Sequence, residues 1–327
     1  MDNLKRTHAP HVRAENSAQR IMSDVLIALI PATAAGIVLM GYRAAILIFV
    51  CIASAILAEA AWQIACRKKI TTFDLSATVT GLLLALLLPV TLPFWIAAIG
   101  SAFAIIIVKQ FFGGLGCNFA NPALSGVAFL FFSWTAAMTR WTAPFTPLAI
   151  NNNADVALNA TPLEMFAEGS EILPEYLDLL LGNVAGTIGE TASFALILGA
   201  IYLIVRKIIN WKIPAIFIAT VAAGTFIFGG ETGFFTGDPL FHVLAGSLLL
   251  GSIFMATDPV TTPLTSFGQG IFALGCGILT VVIRLWGGQP DGVIFAILLM
   301  NALTPLIDKI SRPRRFAKPK KEATHHA

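Results

Sequence analysis

Charge is what this sequence has least of. Only 12% of its 327 residues are Asp, Glu, Lys or Arg, against about 25% in a soluble domain, and 57% are hydrophobic. That balance excludes an ordinary water-soluble enzyme. The period-two alternation of a membrane β-barrel is also missing. The four cysteines, Cys51, Cys66, Cys117 and Cys276, lie far apart with no C-x-x-C spacing, which excludes a zinc site or an iron–sulfur ligand run and leaves small buried thiols as the expectation. No nucleotide-binding fingerprint occurs. No signal-peptide core precedes the first apolar run, so the N-terminus is expected to stay inside the cell.

What is present is a series of apolar runs of about 20 residues, each long enough to cross about 30 Å of hydrocarbon as a helix. Ten spans are expected, at 21–42, 44–66, 74–91, 94–112, 121–138, 190–208, 213–230, 239–257, 267–286 and 291–310. The fold class is therefore an all-α integral membrane bundle. An even number of spans puts both termini on one side. The N-terminal arm, Arg67 to Lys69, Lys109, Arg206, Lys207, Lys212 and the basic tail (Arg312 to Lys321) then fall inside, whereas Arg43, Arg140 and Arg284 fall outside. The loop at 139–189 lies outside and is acidic, with Asp155, Glu164, Glu168, Glu171, Glu175 and Asp178. The net charge is +3, and the basic tail (Arg312, Arg314, Arg315, Lys318, Lys320, Lys321) reads as an anchor on the inner lipid surface and not as a nucleic-acid patch.

The chain repeats itself. PVTLP (89–93) recurs as PVTTP (259–263), and VKQFFGG (108–114) recurs, after a short insertion, as VIRLWGG (282–288). Two repeats in the same order predict two halves of five helices, and because five is odd the halves insert with opposite orientation, as in inverted-repeat transporters. The expected organisation is an arm (1–20), a first five-helix repeat (21–138), an outer loop (139–189), a second five-helix repeat (190–310) and a basic tail (311–327).

Three interruptions mark where backbone leaves regular helix at membrane depth, which is tolerated only where protein or a cavity covers it. GGLGCNFANP (113–122) ends in a helix start, with Asn121 as N-cap and Pro122 at the first position. GGQPDG (287–292) is its repeat partner, and GNVAGTIGE (182–190) precedes the sixth span. Together they predict a central site between the halves. Carboxylates within spans are costly and are candidates for an ion path. Glu59 is the best placed, followed by Asp24 and Asp74 near inner ends, where snorkelling or capping is the competing explanation; Asp258 is read as an Asp-Pro helix start. His242 is read as a satisfied helix residue.

The outer loop contains DVALNATPLE (155–164). Thr161, Pro162 and Glu164 spell a helix N-terminus with a capping box; Asn159 to Thr161 also spells a glycosylation acceptor.

Over nearly its whole length the chain resembles the RnfD and NqrB membrane flavoproteins, which are subunits of the Rnf complex and of the sodium-translocating NADH:quinone oxidoreductase. The resemblance rests on GGLGCNFANPAL (113–124), on Gly182 with Asn183 and Gly189 to Thr191, on DPVT (258–261), and on Asp155 with Ala160, Thr161 and Pro162. NqrB carries a longer N-terminal extension, so RnfD is the closer match. The resemblance implies FMN joined through its phosphate to Thr161 by a flavin transferase that uses FAD, within a pattern that begins at Asp155. Leu158 stands where a hydroxyl residue is usual, and Asn159 where glycine is usual. The resemblance further implies a noncovalent riboflavin between the halves, near Asn118 and Asn121. It implies a bacterial or archaeal cytoplasmic membrane, obligatory partner subunits, and electron transfer between ferredoxin and NAD coupled to Na⁺ or H⁺ transport. Two alternatives remain at this point: an inverted-repeat channel or transporter for a small solute, and a scaffold subunit that has lost its flavin.

Overall fold

A computed structural model describes residues 18–146, 158–170, 172–190, 192–230, 233–288 and 291–311. Asp155, the first 17 residues and the basic tail lie outside the described residues. Among the described residues the secondary structure is helical, with no strand. In chain order the helices are α1 (Ala18–Met40), α2 (Tyr42–Ala65), α3 (Ser76–Leu86), α4 (Phe94–Phe103), α5 (Pro122–Ser133), α6 (Thr135–Met138), α7 (Pro162–Ala167), α8 (Tyr176–Leu181), α9 (Ser193–Val205), α10 (Lys212–Phe228), α11 (Pro239–Leu244), α12 (Leu248–Leu250), α13 (Ser266–Trp286) and α14 (Val293–Ser311). Two wider π-helical segments extend α4 (Ala104–Gln110) and α12 (Gly251–Met255).

Four of these helices, α1, α2, α13 and α14, are long and apolar enough to cross a membrane. Five further apolar segments are shorter: α3, α4 with its π-helical extension, α5, α9 and α10. All ten expected spans contain helix, but three depart from a continuous crossing. The fifth breaks at Trp134, between α5 and α6. The third stops at Leu86, three residues before Pro89, because proline excludes continued helix; at 1.5 Å per residue α3 covers only about 16 Å. The eighth breaks after Leu244, where Ala245 is extended and Gly246 has φ +74°, and resumes at Leu248. Asp258 with Pro259 opens a turn and not a helix. The thiols also divide differently from the expectation: Cys51 and Cys276 are buried, Cys66 and Cys117 exposed.

One continuous apolar core joins the first and second halves of the chain, with Leu29, Leu47, Leu84, Leu124, Phe217 and Phe272 fully enclosed. Within the first half α2 packs on α3 and α4, and α4 on α5; within the second, α10 packs on α11 and α13, and α13 on α14. Helix α1 crosses to α9. Gly199 permits that crossing, since a Cβ there would stand 2.3 Å from the Ala28 carbonyl oxygen. The breaks are closed by side chains. Arg43 Nε donates to the Val90 carbonyl (2.8 Å), and Arg43 Nη2 to Thr91 and Leu92 (3.3 and 3.2 Å). In the repeat of that turn, Thr304 Oγ1 donates to the Thr261 carbonyl (2.9 Å) and Gln269 Nε2 to that of Pro263 (3.2 Å). Burying a carbonyl without a donor costs a few kcal/mol, so these contacts are what makes a turn inside the bundle tolerable.

Candidate cofactor sites at two ends of the bundle

Thr161 stands at the N-terminus of α7 and lines a cavity of about 400 Å³. The capping box expected from its sequence is complete: the Glu164 N–H donates to Thr161 Oγ1 (3.2 Å), and the Thr161 N–H donates to Glu164 Oε2 (2.8 Å). A third donor was not legible in the sequence. Trp141 Nε1 bonds Glu164 Oε1 (2.9 Å), while the Trp141 carbonyl accepts from the Asn159 N–H (3.1 Å). One tryptophan thus holds the stretch of loop that carries Thr161 by backbone and side chain together. Asn159 has no left-handed backbone, so asparagine at that position brings no strain. Leu158 is half exposed and does not line the cavity.

The cavity walls are apolar on the side of α5 and α14, where Phe131 and Phe295 meet edge to face at 6.1 Å. The opposite side is polar, with Thr187, Glu190 and Asp291. Buried Arg284 holds this side together. Its Nη2 pairs with Asp291 Oδ1 at 3.1 Å, Nε donates to the Asp291 carbonyl (2.9 Å), and Nη1 and Nη2 donate to the carbonyls of His242 and Ala245 (2.5 and 3.3 Å). Asp291 also accepts from the N–H and hydroxyl of Ser247. The guanidinium thereby satisfies the backbone exposed at the break between α11 and α12. His242, expected to be a satisfied helix residue, is buried with both ring nitrogens unpartnered among the described residues, and stands edge-on to Phe166 at 4.7 Å. Outside the bundle, Tyr176 Oη donates to Asp238 Oδ2 (2.6 Å), and that carboxylate pushes the phenol's pKa up.

A second, smaller cavity of about 130 Å³ has Asn118, Asn121, Lys109 and Asp258 in its wall. Helices α3, α5, α9 and the α12 segment run between the two cavities: each has its opposite ends, or the residues flanking them, in the two walls. From Asn121 to Thr135 the rise is about 21 Å. Asn121 caps α5 as expected, Oδ1 accepting from Ala123 and Leu124 (3.0 and 3.3 Å), and Nδ2 reaches across to the Met255 carbonyl (3.3 Å). Asn118 Nδ2 donates to the Ala120 carbonyl (3.1 Å). Both π-helical segments lead to this cavity, one bringing Lys109 and the other Phe254; such widened turns recur at functional sites.

Beside the smaller cavity the carboxylates singled out from sequence fall into two groups. Glu59 is fully buried and pairs with Lys109 Nζ at 2.7 Å, and Gln110 Nε2 donates to the same Oε1 (2.7 Å). Lys109 Nζ also donates to Ser76 Oγ (2.6 Å), which donates to Asp74 Oδ1 (2.5 Å). Glu59 and Asp74, distant in sequence, are thus two ends of one hydrogen-bonded chain. Glu59 Oε2 and Trp62 Nε1, one helical turn apart, have no partner among the described residues. Asp24 stands apart, accepting from Tyr202 Oη (2.9 Å) and from Arg206 (3.4 Å), which ties α1 to α9.

Among the described residues the architecture is that of an all-helical membrane protein with two largely apolar cavities, each holding a few polar groups, at opposite ends of shared helices. Comparison with known proteins is more specific about the chain as a whole: the sequence profile of the NQR2, RnfD, RnfE family matches residues 5–317, and the chain belongs to that family. It is 44% identical over 326 residues, 98% of both chains, to the D subunit of the Na(+)-translocating ferredoxin:NAD(+) oxidoreductase complex of Acetobacterium woodii. It is 46% identical over 317 residues, 94% of both, to the D subunit of the proton-translocating ferredoxin:NAD(+) oxidoreductase complex of Clostridium ljungdahlii. It is 38% identical over 339 residues, 94% of both, to the D subunit of the ion-translocating oxidoreductase complex of Halorhodospira halophila.

Proposed function

We propose that this chain is the flavin-carrying membrane subunit of an ion-translocating ferredoxin:NAD oxidoreductase, with FMN covalently bound at Thr161 and riboflavin held at the smaller cavity. The observation that carries the reading is the position of Thr161: its hydroxyl is fixed on the wall of a cavity of about 400 Å³, within the usual size range of cofactor pockets. The apolar side formed by Val127, Phe131 and Phe295 suits a flat ring system, and Thr187, Glu190 and Asp291 supply convergent polar groups. Bound flavin would supply the one- and two-electron chemistry, and the chain's part is to hold it at fixed depth and tune it. Trp141 and Glu164 fix the attachment residue. Asn118 and Asn121 would hold the second flavin, although both amides are already engaged by backbone and the cavity of about 130 Å³ is below the usual size of a cofactor pocket and would have to widen. Two cofactors at the ends of the same rigid helices would form one electron route across the bundle toward partner subunits, which must supply the ferredoxin and NAD sites.

The same reading arranges ten helical segments in two five-helix inverted repeats. Its support is that three packings of the first half, α2 on α3, α2 on α4 and α4 on α5, recur in the second as α10 on α11, α10 on α13 and α13 on α14. The basic residues put both termini on the cytoplasmic side of the cell membrane and Thr161 on the outer side, where a flavin transferase would modify it. The two relatives of similar identity name different cations, so the proposal is Na⁺ or H⁺, with Glu59 as the path residue to test first. The test is denaturing gel electrophoresis of protein co-produced with its flavin transferase. Flavin fluorescence is expected to stay with the chain and to vanish in Thr161→Ala; fluorescence that persists in Thr161→Ala would overturn the attachment site.

A further inference from the structure

Glu190 has a prepared place in the larger cavity. It lies in the non-helical stretch ahead of α9 and shares the cavity wall with Thr161. Gly186 clears the space its carboxylate occupies, since a Cβ at 186 would stand 2.6 Å from Glu190 Oε1. The charged and titratable groups around it are Asp291 ahead of α14, Arg284 from α13, Glu164 from α7 and, behind Arg284, His242 from α11. Arg284 is committed to Asp291 and to three carbonyls. Glu164 is held by the Trp141 and Thr161 N–H groups. Among the described residues Glu190 has no salt-bridge partner, and it shares the cavity wall with the Asp291 carboxylate.

We propose that Glu190 is the proton-exchanging residue of the larger cavity: its carboxylate takes one proton from water when one electron's charge enters the cavity, and returns it when that charge leaves. The inference rests on the flavin reading of Thr161. The electron comes from a reduced redox carrier of the partner subunits and resides on the cofactor, and the proton converts carboxylate to carboxylic acid, so charge balances with no other bond made or broken. Added negative charge in a low-dielectric site raises the proton affinity of a nearby carboxylate. By linkage, protonation of Glu190 favours the reduced cofactor equally.

The test uses the full chain co-produced with its flavin transferase, its flavin load checked by intact mass. Infrared difference spectra between oxidised and dithionite-reduced protein are expected to show a carboxylic-acid C=O band on reduction. That band should be lost in Glu190→Gln and kept in Glu168→Gln, which alters an exposed carboxylate outside the cavity wall. The midpoint potential of the flavin, followed by its visible absorption, should fall with pH more steeply in wild type than in Glu190→Gln. An unchanged band or parallel potential–pH lines in flavin-loaded Glu190→Gln overturn the proposal and leave the flavin reading intact. Absence of flavin mass on the wild-type chain removes both. Should Glu190→Gln fail to load flavin, Glu190→Asp keeps a titrating carboxyl and is expected to shift the band; a band at the wild-type position there overturns the proposal.

Discussion

The two ends of the bundle solve the burial of charge in opposite ways. At the smaller cavity, Lys109 and Gln110 converge on Glu59, and Ser76 links Lys109 to Asp74, in a chain that leaves about 130 Å³ of space. At the larger, Arg284 pairs with Asp291 and otherwise serves backbone carbonyls, so one further carboxylate, Glu190, faces about 400 Å³ of space. A buried pair with both partners present is close to neutral in free energy, whereas one partner alone is strongly destabilising. The first end therefore reads as a clamp whose polar groups stabilise each other. The second reads as a receptacle, with polar capacity left for something that enters it.

That contrast makes the first end the more fragile. Lys109→Met strands the buried Glu59 carboxylate and is expected to cost about 3–5 kcal/mol, seen as a large drop in thermal unfolding temperature in detergent. Lys109→Met combined with Glu59→Gln is expected to recover most of that loss, and a double variant as unstable as the single would break the comparison. At the second end, Glu164→Ala removes the acceptor for Trp141 and Thr161 and half of the capping box. It is expected to weaken the local fold by about 1–2 kcal/mol and to lower the fraction of chains carrying flavin by intact mass, with little change in global unfolding.

Smaller effects sharpen the same contrast. Asn121→Ala deletes the cap of α5 and its bond to Met255, for about 1 kcal/mol, and is expected to reduce noncovalent flavin released on denaturation while leaving covalent flavin unchanged. Asn159→Gly, which restores the residue usual in the family pattern, is expected to stay within about 0.5 kcal/mol and to leave flavin loading as it is, because no left-handed backbone is needed at 159.

Local signals in the sequence carried over well. Caps at Asn121 and Thr161 depend on residues one to three positions apart, and both form as expected. The apolar runs likewise contain helix, and four of the helices, α1, α2, α13 and α14, are long and apolar enough to cross a membrane. The break after Leu244 is hidden in the sequence because Ala245, Gly246 and Ser247 barely lower the hydropathy of the run. Pairings between distant segments are hidden for a different reason: nothing in one stretch announces that Lys109 meets Glu59, that Trp141 meets Glu164, or that Arg284 commits itself to Asp291 and so isolates Glu190. The glycines at 186 and 246 were the available signal for the larger cavity. Each clears space for a carboxylate, Glu190 and Asp291 respectively, a role invisible until the fold brings those side chains in.

The central claim, that the larger cavity exists to receive a flavin tethered at Thr161, is tested most directly by peptide mass mapping of the chain isolated from cells that contain its flavin transferase. The expected result is that the peptide spanning Thr161 carries the mass of FMN less one water, with fragment ions placing it on Thr161. A peptide recovered wholly unmodified, or a modification on another residue, would contradict it.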